Sequence, residues 1–529
     1  MNPPVNKWVV AVSVALGSLM ASIDSSIVNV AIPVIRGELG ASIQEITWVS
    51  TAYLIAMVLV MPLTGFLGAL FGQKRIYLLS LATFVAGSAL CGTAHSLEAL
   101  VVFRVLQGLG GGALQPTQQA ILRQTFPPEE QGMAMAVFAL VIMVGPAVGP
   151  VLGGWITDNY SWPWIFYINL PVGVLGILMT VRNVHEPEDV RAANRQRAEV
   201  QRRHLDWAGI ALMVIGVGSL QFLLEEGPQH DWFDSAAVQA AAFIAVFGIA
   251  AFIIRELTAT APVVNLRLFA DPTFAAGTAI ATVMFGMLMG SLFLLPLFMQ
   301  ELQGQTATAS GLALLPRTLS MMAMSVVVGR IYNKVRPAVL VGLGVLLFGL
   351  GSWQLGHSAL ATTSTDLIVP MVITGAGFAF LFVPLTTAAL SRTPRHLLAD
   401  AAGLNSFLRQ MGGSVGLTVF ATLFTHFSVE AGAAMAGSVS ALRPEVVDRL
   451  STLQGHLVAS GASAAQAHGG ALASVAGALA SQSAVLGFDR TCVLQALSFL
   501  LILPLLYFLR VPRGQGRGDA PVAAHLAAE

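Results

Sequence analysis

One carboxylate sits where a carboxylate is expensive. Asp24 lies in SIDSSIVNVAIP (22–33), deep in a long apolar run, and it is the only acidic residue so placed. An ionised group at the centre of a membrane helix costs about 3 kcal/mol on insertion scales, so it must face a cavity or a partner. Burial raises a carboxyl pKa and a nearby cation lowers it, and a group balanced between the two can take up and release protons. The other reading is a structural ion pair. Arg104, in FRVLQGLGGG (103–112), is the expected partner. It stands six residues beyond Glu98, at a depth that meets Asp24 if their helices adjoin. A guanidinium stays charged, so it tunes a carboxylate without competing for the proton. Gln107 follows at i+3, on the same helix face as Arg104. Packing alone accounts for the glycines around it, Gly108 and Gly112.

Two more cations lie in apolar runs. Arg317 follows Pro316, which frees a carbonyl on the preceding turn, and Arg409 lies in NSFLRQMGG (405–413). Contact with substrate and bonding to freed carbonyls are both open for each. Asn29, Gln115, Thr117 and Gln118 either line a polar route or bond helix to helix. No histidine lies deep in a span, and no HExxH, CxxC or P-loop pattern occurs. These absences argue against an intramembrane metalloenzyme and against direct ATP drive. The expected power source is the proton gradient, with no cofactor and no metal. Cys91 and Cys492 lie far apart in apolar runs and read as buried free thiols.

The elements that must position these groups are long apolar helices. Of 529 residues, 55% are hydrophobic and 10% charged, and the mean hydropathy is +0.75. Soluble domains carry about 25% charged residues. Net charge is zero, so nothing points to nucleic acid. The first apolar run, from Trp8 to Pro33, is too long for the core of a cleavable signal. Runs long enough to span a bilayer number fourteen: 8–33, 46–70, 76–94, 98–121, 133–157, 164–182, 207–225, 236–254, 273–299, 308–331, 337–357, 366–391, 400–424 and 488–509. Twenty Lys and Arg fall on the N-terminal side of this map, four on the other and three inside spans, out of 27. That asymmetry places both termini in the cytoplasm.

The chain repeats itself. GLGGGALQPTQQAIL (108–122) echoes GAGFAFLFVPLTTAAL (375–390), MVGPAVG (143–149) echoes QMGGSVG (410–416), and GALFGQKR (68–75) echoes GRIYNKVR (329–336). Two six-helix halves separated by an extra pair explain the spacing. The expected organisation is an N-terminal half (1–182), a basic cytoplasmic loop (183–206), the extra pair (207–254), a C-terminal half (255–509) and a cytoplasmic tail (510–529). This is an all-α integral membrane fold with 14 transmembrane helices arranged 6+2+6, and with its substrate site between the halves. The basic loop reads as a topology-setting charge run, with a docking site as the other reading. The aromatic set WPWIFYIN (162–169) reads as a membrane-edge belt. Glu225 and Glu226 read as solvating the outer end of the seventh span, with attraction of cationic solutes as the other reading. The segment 425–487 is rich in Ala, Ser and Gly. Val446, Leu450, Leu453 and Leu457 fall on one helical face there, which fits a helical hairpin or a loosely ordered loop.

Gly145, Gly149 and Gly153 recur every four residues in VIMVGPAVGPVLGGWIT (141–157), with Pro146 and Pro150 interleaved. On a helix the glycines form a strip without side chains, into which a neighbour can press its backbone. The prolines remove two backbone donors and favour a bend.

These strings resemble the fourteen-helix drug–proton antiporters (EmrB/QacA type) of the major facilitator superfamily over nearly the whole chain. Asp24, Asn29 and Pro33 match that family's first-helix motif, and Arg104, Gln107 and Gly108 its fourth-helix motif. Gly145, Pro146, Gly149, Pro150, Gly153 and Gly154 match its antiporter motif, which serves the conformational change. DNYSWPWIFYINLPVG (158–173), FVPLTTAALS (382–391) and the extended 425–487 loop look like the adaptor-dependent subgroup. One departure stands out. The family's loop after the second helix carries an Asp-Arg pair, and GFLGALFGQKR (65–75) has Ala69 and Leu70 there. Gly65, Gly72, Lys74 and Arg75 remain, but the family's charge latch is lost.

The resemblance implies a major facilitator fold in the cell inner membrane and proton-coupled efflux of drugs or other amphipathic toxic compounds by alternating access. Asp24 and Arg104 would couple protons, and Asn29, Gln107, Gln115, Arg317 and Arg409 would line the substrate cavity. A periplasmic membrane-fusion adaptor and an outer-membrane channel are the implied partners, beside the membrane lipid. The competing readings are an uptake symporter for a small nutrient and an integral-membrane enzyme.

Overall fold

A computed structural model describes residues 6–509, apart from 204, 231, 361, 364, 438 and 440–442. The expected tail 510–529 lies outside the described residues. Thirteen helices are long and apolar enough to cross a membrane. The pair Gln44–Val60 and Thr64–Phe71, bent by 58°, passes the same test together and makes fourteen among the described residues if counted as one span. Pro62 sits in that break, where it removes a backbone donor.

In chain order the spans are Lys7–Leu39, that bent pair, Gln73–Gly92, Leu97–Thr125, Pro128–Asn159, Trp164–Asn183, Trp207–His230, Ala236–Thr258, Pro272–Gln300, Ala309–Ile331, Pro337–Leu355, Ile368–Ala389, Arg395–Ala436 and Ala464–Phe508. Each overlaps one apolar run of the sequence map, because runs of this length must be helical to satisfy their own backbone in lipid.

The sequence repeat returns as repeated contacts. The first and fifth spans meet where a Cβ on Gly145 would strike Ser22, and the ninth and thirteenth where one on Gly412 would strike Thr282. The fourth span presses Gly108 on Tyr53 of the second and Gly110 on Phe84 of the third. The twelfth presses Gly375 on Arg317 of the tenth and Gly377 on Phe348 of the eleventh. Matching glycines thus set matching close approaches.

The seventh and eighth spans cross at Gly216 and Gly248. The seventh docks through polar contacts. Thr418 Oγ1 donates to Leu224 O at 2.9 Å, Gln221 Nε2 to Ser414 Oγ at 3.0 Å, and Thr51 Oγ1 to Glu226 at 3.4 Å. Glu226 is therefore buried against the second span and not a solvating end group, a correction to the sequence reading.

The segment 425–487 is mostly helix. The thirteenth span continues unbroken to Ala436, Pro444–Ala459 forms a separate helix, and the last helix begins at Ala464. Alanine, the best helix former, favours these extensions. The predicted face of Val446, Leu450, Leu453 and Leu457 is half-buried, and Leu457 packs at Gly470 of the last helix.

Candidate functional site

The first span carries Asp24 into the centre of the first six helices, where it is fully buried. Arg104 Nη1 donates to Asp24 Oδ2 at 2.6 Å and to Gln107 Oε1 at 2.8 Å. Gln107 Nε2 donates to Asp24 Oδ1 at 2.8 Å, and Asn169 Nδ2 to the same oxygen at 3.1 Å. Arg104 Nε donates to Val49 O at 3.0 Å, and the guanidinium lies 3.9 Å from the centre of the Tyr53 ring. Ser88 completes the group: it accepts from Asn169 at 3.0 Å and donates to Phe166 O at 2.8 Å. Residues of five spans therefore join in one network, in which the fourth and sixth spans bond the carboxylate directly, and the ion pair is charge-assisted at both ends.

Small residues make this convergence possible. A Cβ on Gly87 would lie 2.7 Å from the Gln107 backbone, so the third and fourth spans touch beside Ser88. A Cβ on Gly108 would lie 2.5 Å from Tyr53 O, which sets the Tyr53 ring against Arg104.

The glycine strip of the fifth span packs on both sides of Asp24. Gly145 meets Ser22, Gly149 meets Ser26, and Gly153 meets Ile27, whose carbonyl would be 2.9 Å from an added Cβ. Pro146 cannot donate to Ile142 O, and Ser22 Oγ does so from the first span at 3.0 Å. Ser26 Oγ donates to Gly145 O at 2.8 Å. The helix runs unbroken through both prolines. An added Cβ on Gly154 would meet nothing, so this residue is outside the contact.

Asn169, Ser88 and Tyr53 were not singled out from sequence. Asn169 closes WPWIFYIN, and only part of that string forms a belt. Trp164 is exposed, whereas Phe166 is buried with its ring 5.8 Å from Arg104. A polar Asn inside an apolar helix was the available signal.

The remaining candidates stand elsewhere. Asn29 is exposed and accepts from Ser50 Oγ at 3.2 Å, and Gln115 is half-buried. Arg317 is buried and donates to Ser291 Oγ at 2.9 Å, while its Nε and Nη2 have no hydrogen-bond partner among the described residues. Arg409 is buried with Nη1 unpartnered. Both cysteines are buried and free. Lys74 Nζ donates to Val181 O at 2.8 Å, Arg75 is exposed, and Gly72 has φ +90, a conformation that favours glycine.

The missing Asp-Arg latch has a counterpart in space. Asp400, at the start of the thirteenth span, lies directly on Gly65 of the second. Arg197, on the helix Glu188–Arg203 of the basic loop, holds Asp400 through two bonds of 2.9 Å. Burial alone would push the Arg197 guanidinium down, and Asp400 more than offsets this and raises it. The same end of the molecule carries further links between early and late spans. Arg123 Nη2 donates to Leu390 O at 2.7 Å and Arg395 Nη2 to Gln124 O at 3.0 Å, and the fifth and tenth spans touch at Gly132 and Gly329.

A bundle of thirteen or fourteen apolar spans, repeated in its contacts and holding a fully buried carboxylate–guanidinium pair, defines a multi-pass membrane protein of the transporter kind. The chain belongs to the Major Facilitator Superfamily, whose profile matches residues 14–417. It is 34% identical to the multidrug export protein EmrB of Escherichia coli strain K12 over 96% of both chains. It is 38% identical to the protein of the same name in Haemophilus influenzae, over 79% of this chain and 80% of that one. Among solved structures, the human organic anion transporter MFSD10 aligns with TM-score 0.60 and 15% identity, covering 96% of this chain and all of that one, a likeness of fold alone.

Proposed function

We propose that this protein is a proton-coupled antiporter. It exports amphipathic organic compounds from the cytoplasm across the cell inner membrane by alternating access. The observation that carries the reading is the sealed Asp24 site together with the fifth-span strip pressed on Ser22 and Ser26. A proton arriving on Asp24 cancels the charge that Arg104 answers and removes an acceptor from Gln107 or Asn169. The first span is then held less tightly, and the neighbour it slides on is the smooth face of the fifth. Proton binding and helix movement are coupled through that contact.

The two six-helix halves, 1–182 and 255–509, rock against each other, with the pair 207–254 docked beside them. The termini and the basic loop 183–206 face the cytoplasm, where the links between early and late spans close the route. The names of the EmrB relatives support export as the direction and drug-like compounds as the cargo. The helical extension within 425–487 projects to the periplasm and is the surface for a membrane-fusion adaptor that leads to an outer-membrane channel.

The test is substrate-induced proton exchange in proteoliposomes holding equal amounts of normal or Asp24→Asn protein. Asn keeps the shape and loses the proton, so exchange should fall to background while insertion stays normal. Exchange at the normal rate in the Asn form would place the proton path elsewhere.

A further inference from the structure

A cavity of about 550 Å³ opens where the second span ends and the third begins. One wall is the turn from Ala69 to Arg75, and the other is the helix Glu188–Arg203 of the basic loop. The turn supplies Lys74 and Arg75, and the helix supplies Arg191, Arg195 and Arg202. At 3.6 residues per turn these three arginines fall within about 40° of one another, so one helix face presents them all. Arg75, Arg191, Arg195 and Arg202 are exposed, and none of them forms an ion pair among the described residues.

Two carboxylates line the same cavity without answering these cations. Glu186 Oε1 accepts from Asn194 Nδ2 at 3.1 Å and from the Gln73 backbone N–H at 3.4 Å, which commits it to holding the helix against the turn. Glu199 is exposed and also outside any ion pair among the described residues. Five cations against two carboxylates leave an excess of three positive charges. Leu70 and Phe71 add an apolar edge, and Phe71 is exposed at the end of its helix. That helix closes the bent second span, so its end stands at the edge of the hydrocarbon layer.

A guanidinium fork matches phosphate oxygens two at a time. Basic pockets at the ends of membrane helices suit anionic headgroups. A free phosphate would use the arginines and leave the apolar edge without a role. A phospholipid uses both, with its phosphodiester on the arginines and the start of its acyl chains on Leu70 and Phe71.

We propose that this cavity binds the headgroup of an anionic phospholipid, with Arg191 and Arg195 on the phosphodiester. A zwitterionic headgroup brings an ammonium, which the excess positive charge disfavours. The far side of the same helix carries Arg197 to Asp400. Lipid and ion pair therefore pin the loop helix between the bilayer surface and the thirteenth span. This goes beyond the exporter reading and does not depend on it.

The full-length chain is purified in a neutral detergent and titrated with phosphatidylglycerol or phosphatidylcholine of the same acyl chains, and bound lipid is read by native mass spectrometry. Phosphatidylglycerol should bind more tightly. Arg191→Gln combined with Arg195→Gln should weaken it about tenfold or more and leave phosphatidylcholine within about twofold. The corresponding Lys pair keeps the charge and should recover part of the loss, which separates headgroup binding from a folding defect. Arg203→Gln removes an exposed arginine of the same helix outside the cavity and should change nothing. Equal binding of the two lipids overturns the proposal. So does an equal loss in Arg203→Gln, which would mean diffuse attraction to a basic surface. Glycerol 3-phosphate displacing the lipid at matched concentration would make this a free-phosphate site and overturn the lipid assignment. Asp24→Asn protein should bind the lipid as the normal protein does, so this result and that of the proton-exchange test are read separately.

Discussion

Arg104 and Arg409 are both buried arginines, and the protein treats them in opposite ways. Arg104 has a carboxylate, a glutamine, a backbone carbonyl and a tyrosine face around it. Arg409 has three phenyl faces and an unpartnered nitrogen. The early helices complete the site around Arg104, and the seam with the late helices leaves Arg409 Nη1 without a hydrogen-bond partner among the described residues. In a low-dielectric interior the difference matters, since an uncompensated ion costs several kcal/mol. Arg317 falls between them, with one bond to Ser291 and two unpartnered nitrogens.

The sharpest way to break this contrast is Arg104→Met. Removing one member of a buried pair leaves Asp24 uncompensated, and the expected loss is about 3–5 kcal/mol of stability. A thermal midpoint in detergent that stays at the normal value would mean that the pair is not what holds the early helices together. A milder probe is Asn169→Leu. It removes one of three donors from Asp24 and a donor from Ser88, with an expected loss of about 1–2 kcal/mol and slower proton exchange. Unchanged exchange would restrict the working site to Asp24, Arg104 and Gln107. The smallest effect is expected from Arg409→Met. Taking away a charge that no carboxylate answers among the described residues should leave the midpoint unchanged or raise it. A drop as large as that of Arg104→Met would show that Arg409 has partners in the folded state and would collapse the distinction.

How much of this was legible in the sequence differs by residue. Asp24 and Arg104 stood out because charge in an apolar run is costly, and their depths matched. The strip of Gly145, Gly149 and Gly153 was readable from its four-residue step. Asn169 was hidden inside an aromatic string that resembled a belt, because helix direction decides which of Trp164, Phe166 and Asn169 faces lipid. The charge at Gly65 could not be anticipated at all. Asp400 lies more than three hundred residues away in the chain, and Arg197 reaches it from a loop helix whose composition only suggested topology.

The sequence by itself determined the helical type of the spans, their repeat and which carboxylate lies deep inside one of them. It did so because a bilayer allows apolar runs only one backbone solution and makes each internal charge conspicuous. The tertiary structure alone decided which internal charges are answered. Pairing depends on side chains from separate helices arriving within about 3 Å of one another. That arrival is set by glycine contacts such as Gly87 on Gln107 and Gly108 on Tyr53, whose partners no spacing within one helix reveals.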